Sequence, residues 1–112
     1  MPVGHIRGLG RSQHKVDGLE PMEIWVNKKY ALPLPFHDGL RIPIRLRVGT
    51  AYYDAGLRAT SRNAYVWICP NLLDSQRQKI SLARILVDNN FRKNQKVSLE
   101  LNDNAVHILP LP

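Results

Sequence analysis

The sequence predicts a small α+β domain in which about six to seven strands form an open β-barrel accompanied by one or two short helices. Two observations carry that reading. Apolar and polar residues alternate with period 2 in several separate segments, and only one segment switches to helical spacing. With 112 residues there is room for one domain, and 44% hydrophobic against 22% charged residues allows one modest core and excludes a disordered chain.

Residues 1–20 hold three basic and two acidic residues, four glycines and no apolar period, and read as a flexible basic N-terminal arm ahead of a domain spanning 21–112. From Met22 to Tyr30, Ile24 and Val26 face one way and Trp25 and Asn27 the other, as in a strand. The segment Ala31–Gly39 carries two prolines and ends in Asp-Gly, so it is a loop, with Phe36 exposed on it.

The clearest pattern is Leu40–Val48, where Leu40, Ile42, Ile44, Leu46 and Val48 alternate with Arg41, Pro43, Arg45 and Arg47. Pro43 has no N–H to give to a ladder, so its position must face a sheet edge or a bulge. Thr50 to Tyr53 continue as a short strand, and Asp54–Asn63 read as a polar, flexible loop. Ala64–Pro70, rich in β-branched and aromatic residues, is a further strand. Ile80, Leu82, Ala83, Leu86 and Val87 then fall at helical spacing behind Ser81, a good N-cap, for a helix of about ten residues ending near Asn89–Asn90. Val97, Leu99 and Leu101, a turn at Asn102–Asn104, and Val106 with Ile108 make a closing hairpin that turns His107 outward.

Sixteen Lys and Arg stand against nine acidic residues, a formal charge of +7, which biases the partners toward phosphate polyanions. No apolar run is long enough to cross a bilayer as a helix, and no signal-peptide core opens the chain, so a cytoplasmic location without membrane contact is expected. One cysteine makes no internal disulfide, and four scattered histidines make no zinc motif; neither a metal nor another cofactor is expected.

No catalytic motif is present either. Acidic-x-Lys, His-x-Lys, Cys-x-x-Cys, His-Glu-x-x-His and Gly-x-Ser-x-Gly are all missing. Gly4, Gly8 and Gly10 lack the strand and the Gly-Lys-Ser/Thr of a phosphate loop. Cys69 sits in an apolar strand as inert packing, and His37 beside Asp38 reads as a solvated turn. The chain is therefore expected not to be an enzyme.

Binding residues follow from the basic patches. Arg41, Arg45 and Arg47 repeat on one strand face at about 6.6–7 Å, a stride at which cations track a phosphate backbone. Arg58, Thr60, Ser61, Arg62 and Asn63 supply donors suited to base edges on the later loop, since arginine pairs with guanine and asparagine with adenine. Lys28 and Lys29 add a second basic arm, and Arg7, Arg11 and Lys15 a third contact.

The order of parts is strand, long loop, basic strand, loop, aromatic strand and helix, closed by Asn90–Leu109 with its Phe91, basic turn and Val-x-Leu-x-Leu strand. It resembles the B3-like DNA-binding pseudobarrels of plant transcription factors and of EcoRII-type restriction endonuclease recognition domains, over about residues 22–109. That resemblance implies a non-catalytic domain that reads double-stranded DNA by sequence. One arm would lie around Lys28 to Arg41 and another around Arg58 to Asn63, with any cutting done by a separate nuclease domain or chain. The closing segment also resembles AbrB-type swapped-hairpin regulators, whose DNA-binding unit is much shorter than this chain. Two other functions fit the same composition: an RNA-binding or ribosome-associated small barrel, and a protein-interaction module. The RNA reading needs Trp25, Tyr52, Tyr53 and Trp67 on an exposed stacking platform, whereas strand alternation places at least some of them inside.

Overall fold

The computed structural model describes residues 2–10 and 18–112. Its strands are β1 (Val3–Gly8), β2 (Met22–Asn27), β3 (Arg41–Val48), β4 (Ala51–Ala59), β5 (Tyr65–Ile68), β6 (Asn71–Leu73), β7 (Lys79–Ser81), β8 (Lys96–Asn102) and β9 (Ala105–Pro110). A 3-10 turn (Lys28–Tyr30) follows β2, and α1 (Leu82–Asp88) follows β7.

Seven strands form a ring in the order β3, β9, β8, β1, β2, β5, β4, and β4 pairs back with the whole length of β3. The barrel is thus closed rather than open. β3 and β9 run parallel, and the other pairings within the ring are antiparallel. β6 and β7 form a hairpin attached to the outside of the ring at Asp54↔Leu73.

Alternation accounts for the core. Ile24, Val26, Ile44, Leu46, Val48, Val66, Ile68, Val97, Leu99, Val106 and Ile108 all point inward and are buried. Leu82, Ala83, Ile85 and Leu86 of α1 join the same cluster. Pro43 sits where its chemistry requires. Arg45 donates its N–H to Asn104 O on the β9 side at 2.8 Å, and the β9 pairing starts at Arg45. Two residues earlier, Pro43 faces the same side beyond the end of β9.

Ser81 caps α1 as expected, its Oγ accepting from Arg84 N at 3.0 Å. The helix is shorter than the apolar period suggests because Asn90 takes a left-handed φ of 68°. Phe91 N then donates to Leu86 O at 2.8 Å and Asn90 N to Val87 O at 3.0 Å, which closes the last turn and tucks Phe91 into the core.

Four expectations are corrected. Residues 3–8 are not part of an arm: β1 lies between β2 and β8, with Ile6 fully buried. Arg11 and Lys15, expected on the same arm, lie outside the described residues. The supposed loop from Asp54 is strand as far as Ala59, because Ala55, Leu57 and Ala59 face inward while Asp54 and Arg58 face out. The inward side chains are mostly small, so the alternation is faint in the sequence. Phe36 is partly buried against the core rather than exposed, and Leu40, one residue ahead of β3, is 52% exposed rather than inward. The β6–β7 hairpin, whose strands are three residues each, had no counterpart in the sequence reading.

Gly4 faces inward where β1 crosses the core. A Cβ there would lie 2.9 Å from Ile24 Cγ2 and 3.0 Å from Leu99 Cδ1, so only glycine lets the strand sit this deep.

Candidate nucleic-acid interface

Because outward residues of neighbouring strands stand opposite one another, the register defines a row across the outside of the barrel. It runs Lys96, His5, Trp25, Trp67, Arg58, Arg41, on β8, β1, β2, β5, β4 and β3 in turn. Two tryptophans occupy its middle and cations its ends. At about 4.8 Å between strands, the five steps span roughly 24 Å.

Trp25 and Trp67 are within 24° of parallel with ring centroids 5.7 Å apart, and Tyr65 adds a third ring 5.7 Å from Trp25, tilted by 48°. The Arg7 guanidinium lies 5.0 Å above the Trp25 ring. Trp25 Nε1 donates to Glu23 Oε1 at 3.0 Å, which fixes the indole on the sheet. Burial raises the Glu23 carboxyl above its usual range, and the Trp25 hydrogen bond works in the opposite direction.

Arg58 and Arg41 face each other across β4 and β3, and both are exposed. Like charges directly opposite destabilise a sheet. Among the described residues no carboxylate forms an ion pair with either arginine. Arg41 instead lies over the bare backbone of Gly56, where a Cβ would collide with its guanidinium, and its charge acts on the nearby Cys69 thiol. Burial pushes that thiol up, with Arg41 and Arg58 opposing. Cys69 is therefore a poor nucleophile, as its place beside an apolar strand suggests.

The remaining expected residues fall into two further groups. Arg45 and Arg47 flank Tyr52 on the outer face of β3 and β4, at 5.1 and 5.7 Å from its ring. They share a strand face with Arg41, as the alternation requires, and the strand extends them away from it. Lys28 joins the other two loops at one end of the barrel, donating from Nζ to Thr60 O at 2.6 Å and pairing with Asp38 at 3.0 Å. Gly39 N also donates to Ala59 O at 2.8 Å, so the two expected arms form one lip rather than separate jaws. Ser61 and Arg62 are exposed on the tight turn after β4, and Asn63 Oδ1 accepts from Tyr65 N at 3.0 Å. Lys29 lies 5.2 Å over the Tyr30 ring.

Trp25 and Trp67, named for the stacking platform of the RNA reading, are absent from the expected duplex-DNA site, and Tyr65 from both, although their alternation with Ile24, Val26, Val66 and Ile68 already assigns them to the outer face. Tyr52 is also outside, 47% exposed, whereas Tyr53 packs against the core. Arg7, expected as a contact on a flexible arm, stands instead on the fixed outer face of β1, and His5 was missed because β1 was read as an arm.

Among the described residues no cluster of three or more His, Cys, Asp or Glu is arranged to hold a metal, and no helix is long and apolar enough to cross a membrane. Comparison with protein-family models, curated proteins and solved structures returned no match. The resemblance to B3-like domains thus rests on the order of sequence elements alone.

Proposed function

We propose that this barrel binds single-stranded nucleic acid on the outer face of β1, β2, β5 and β4, and that it acts by binding rather than by catalysis. One observation carries the reading: two near-parallel tryptophans on an outer sheet face, flanked by Arg7, His5 and Lys96 on one side and by Arg58 and Arg41 on the other. Aromatic rings accept any base by stacking, worth about 1–3 kcal/mol per base, while adjacent cations meet the phosphates. The Arg7–Trp25 contact, at about 0.5–1 kcal/mol, is weak enough for a base to displace it and free the guanidinium for the backbone.

The test is fluorescence anisotropy with labelled oligo(dT), oligo(rU) and a mixed-sequence duplex, reading tryptophan quenching in parallel. Single strands are expected to bind more tightly than the duplex, and Trp67→Ala to weaken them by about 5- to 150-fold, the equivalent of one stacked base. Equal affinity of Trp67→Ala and wild type, with the variant folded, overturns the platform. A second reading, sequence-specific duplex DNA binding in the B3-like manner, draws on the lip formed by Lys28, Thr60, Ser61, Arg62 and Asn63 and on the β3 arginines. Tighter binding of the duplex, with an enriched sequence on selection, decides for it.

A further inference from the structure

The β6–β7 hairpin, the outer face of β3 and β4, and Arg84 of α1 border a groove of about 1370 Å³. That exceeds the usual space of a small-molecule site, and it is open to solvent rather than enclosed. Four cations line it: Arg41, Arg77, Lys79 and Arg84. The one carboxylate in the lining, Asp54, is paired with Arg77 at 3.1 Å and so holds that arginine on the groove wall. Arg41 belongs to both features, standing at the end of the tryptophan row and in the groove lining. Gly56 makes this double role possible, since its missing side chain lets Arg41 lie across β4.

We infer that the groove is a second subsite for the phosphodiester backbone of the strand whose bases stack on Trp25 and Trp67, an inference that rests on the single-strand reading above. The strand passes from the tryptophans over Arg58 and Arg41 and enters the groove against Arg77, Lys79 and Arg84. Arg41 and Arg58, which face each other without an ion-pair partner among the described residues, then share the phosphate at the crossing. A partly open cleft of this size, lined by four cations and by the apolar Leu72 and Ile80, fits a flexible polyanion better than a compact ligand.

The experiment is a length series of oligo(dT), from 3 to 15 nucleotides, titrated at several salt concentrations against wild type, Lys79→Gln, Arg77→Gln/Lys79→Gln and Trp67→Ala. Wild-type affinity is expected to keep rising with length beyond what the tryptophan row alone holds. In the groove variants it levels off at a shorter oligomer, and the slope of log K against log salt drops by about 0.7 for each cation lost. The shortest oligomers bind the groove variants as they bind wild type. Lys79→Gln is included because Lys79 forms no ion pair among the described residues, so its replacement leaves the Asp54–Arg77 tie intact. An unchanged length dependence and slope in both groove variants, with Trp67→Ala still impaired, overturns the groove and leaves the platform standing. Absence of binding at every length in wild type overturns both.

Discussion

Replacing Arg58 by Gln is expected to make the barrel more stable and its ligand binding weaker. Arg58 and Arg41 stand directly opposite on antiparallel strands, and no ion pair within the described residues offsets either charge. For two unit charges about 7 Å apart in a water-like dielectric, a separation within reach of side chains directly opposite on paired strands, the repulsion is roughly 0.6 kcal/mol before screening. Screening reduces it to about 0.5 kcal/mol at 10 mM salt and about 0.2 kcal/mol at 150 mM. At about 2.1 cal/mol/K per residue of unfolding entropy, relief of that repulsion raises Tm by about 2 °C at low salt and about 1 °C at 150 mM. The assay is thermal unfolding by circular dichroism at both salts, paired with oligo(dT) titration, where loss of one phosphate contact costs about fivefold in affinity at 0.1 M salt. A lower Tm for Arg58→Gln at both salts would refute the electrostatic argument, and unchanged oligonucleotide affinity would refute the functional one.

Three further outcomes are expected. Gly4→Ala puts a methyl against Ile24 and Leu99 and is expected to cost about 1–3 kcal/mol, or about 4–13 °C in Tm; an unaffected Tm would mean that β1 is not a load-carrying part of the ring. Ser81→Ala removes the acceptor for Arg84 N and is expected to lower stability by about 1 kcal/mol in denaturant melts, with m unchanged. Glu23 holds its proton more tightly folded than unfolded, so its contribution to stability falls as pH rises from about 4.3 through the raised folded pKa, and the burial penalty stays in full above that. Glu23→Gln lacks this ionisation while keeping an acceptor for Trp25, so the stability of the variant relative to wild type is expected to grow between pH 4 and pH 7; parallel pH profiles contradict it.

The closing hairpin, the arginine strand and the N-cap at Ser81 were all legible because each rests on local chemistry: period 2 with large apolar residues, or one side chain satisfying one orphan N–H. β4 was not, because two of its three inward side chains, Ala55 and Ala59, are too small to mark a period and leave Leu57 as a lone apolar residue beside Asp54 and Arg58. β1 was not, because Gly4 is there to let the strand pass close to Ile24 and Leu99, and that crowding involves residues far away in the chain. The aromatic platform was half legible. Alternation turned Trp25 outward, but nothing local pairs it with Trp67, which is 42 residues later and is placed beside it by the β2–β5 register.

The position of β1 also governs how the barrel is assembled. Val3 pairs with Ser98, so closing the ring joins residues 95 apart, at an entropic cost of about 4 kcal/mol, before that pairing returns anything. Such long-range pairing puts the protein among slow folders, in the range of milliseconds to seconds. Until β1 is seated, β2 and β8 each offer an unpaired edge, and β1 from a neighbouring molecule satisfies those edges as well as the chain's own. Refolding at high protein concentration is therefore expected to add a β1-exchanged dimer to the monomer, which size-exclusion chromatography after refolding at several concentrations would detect.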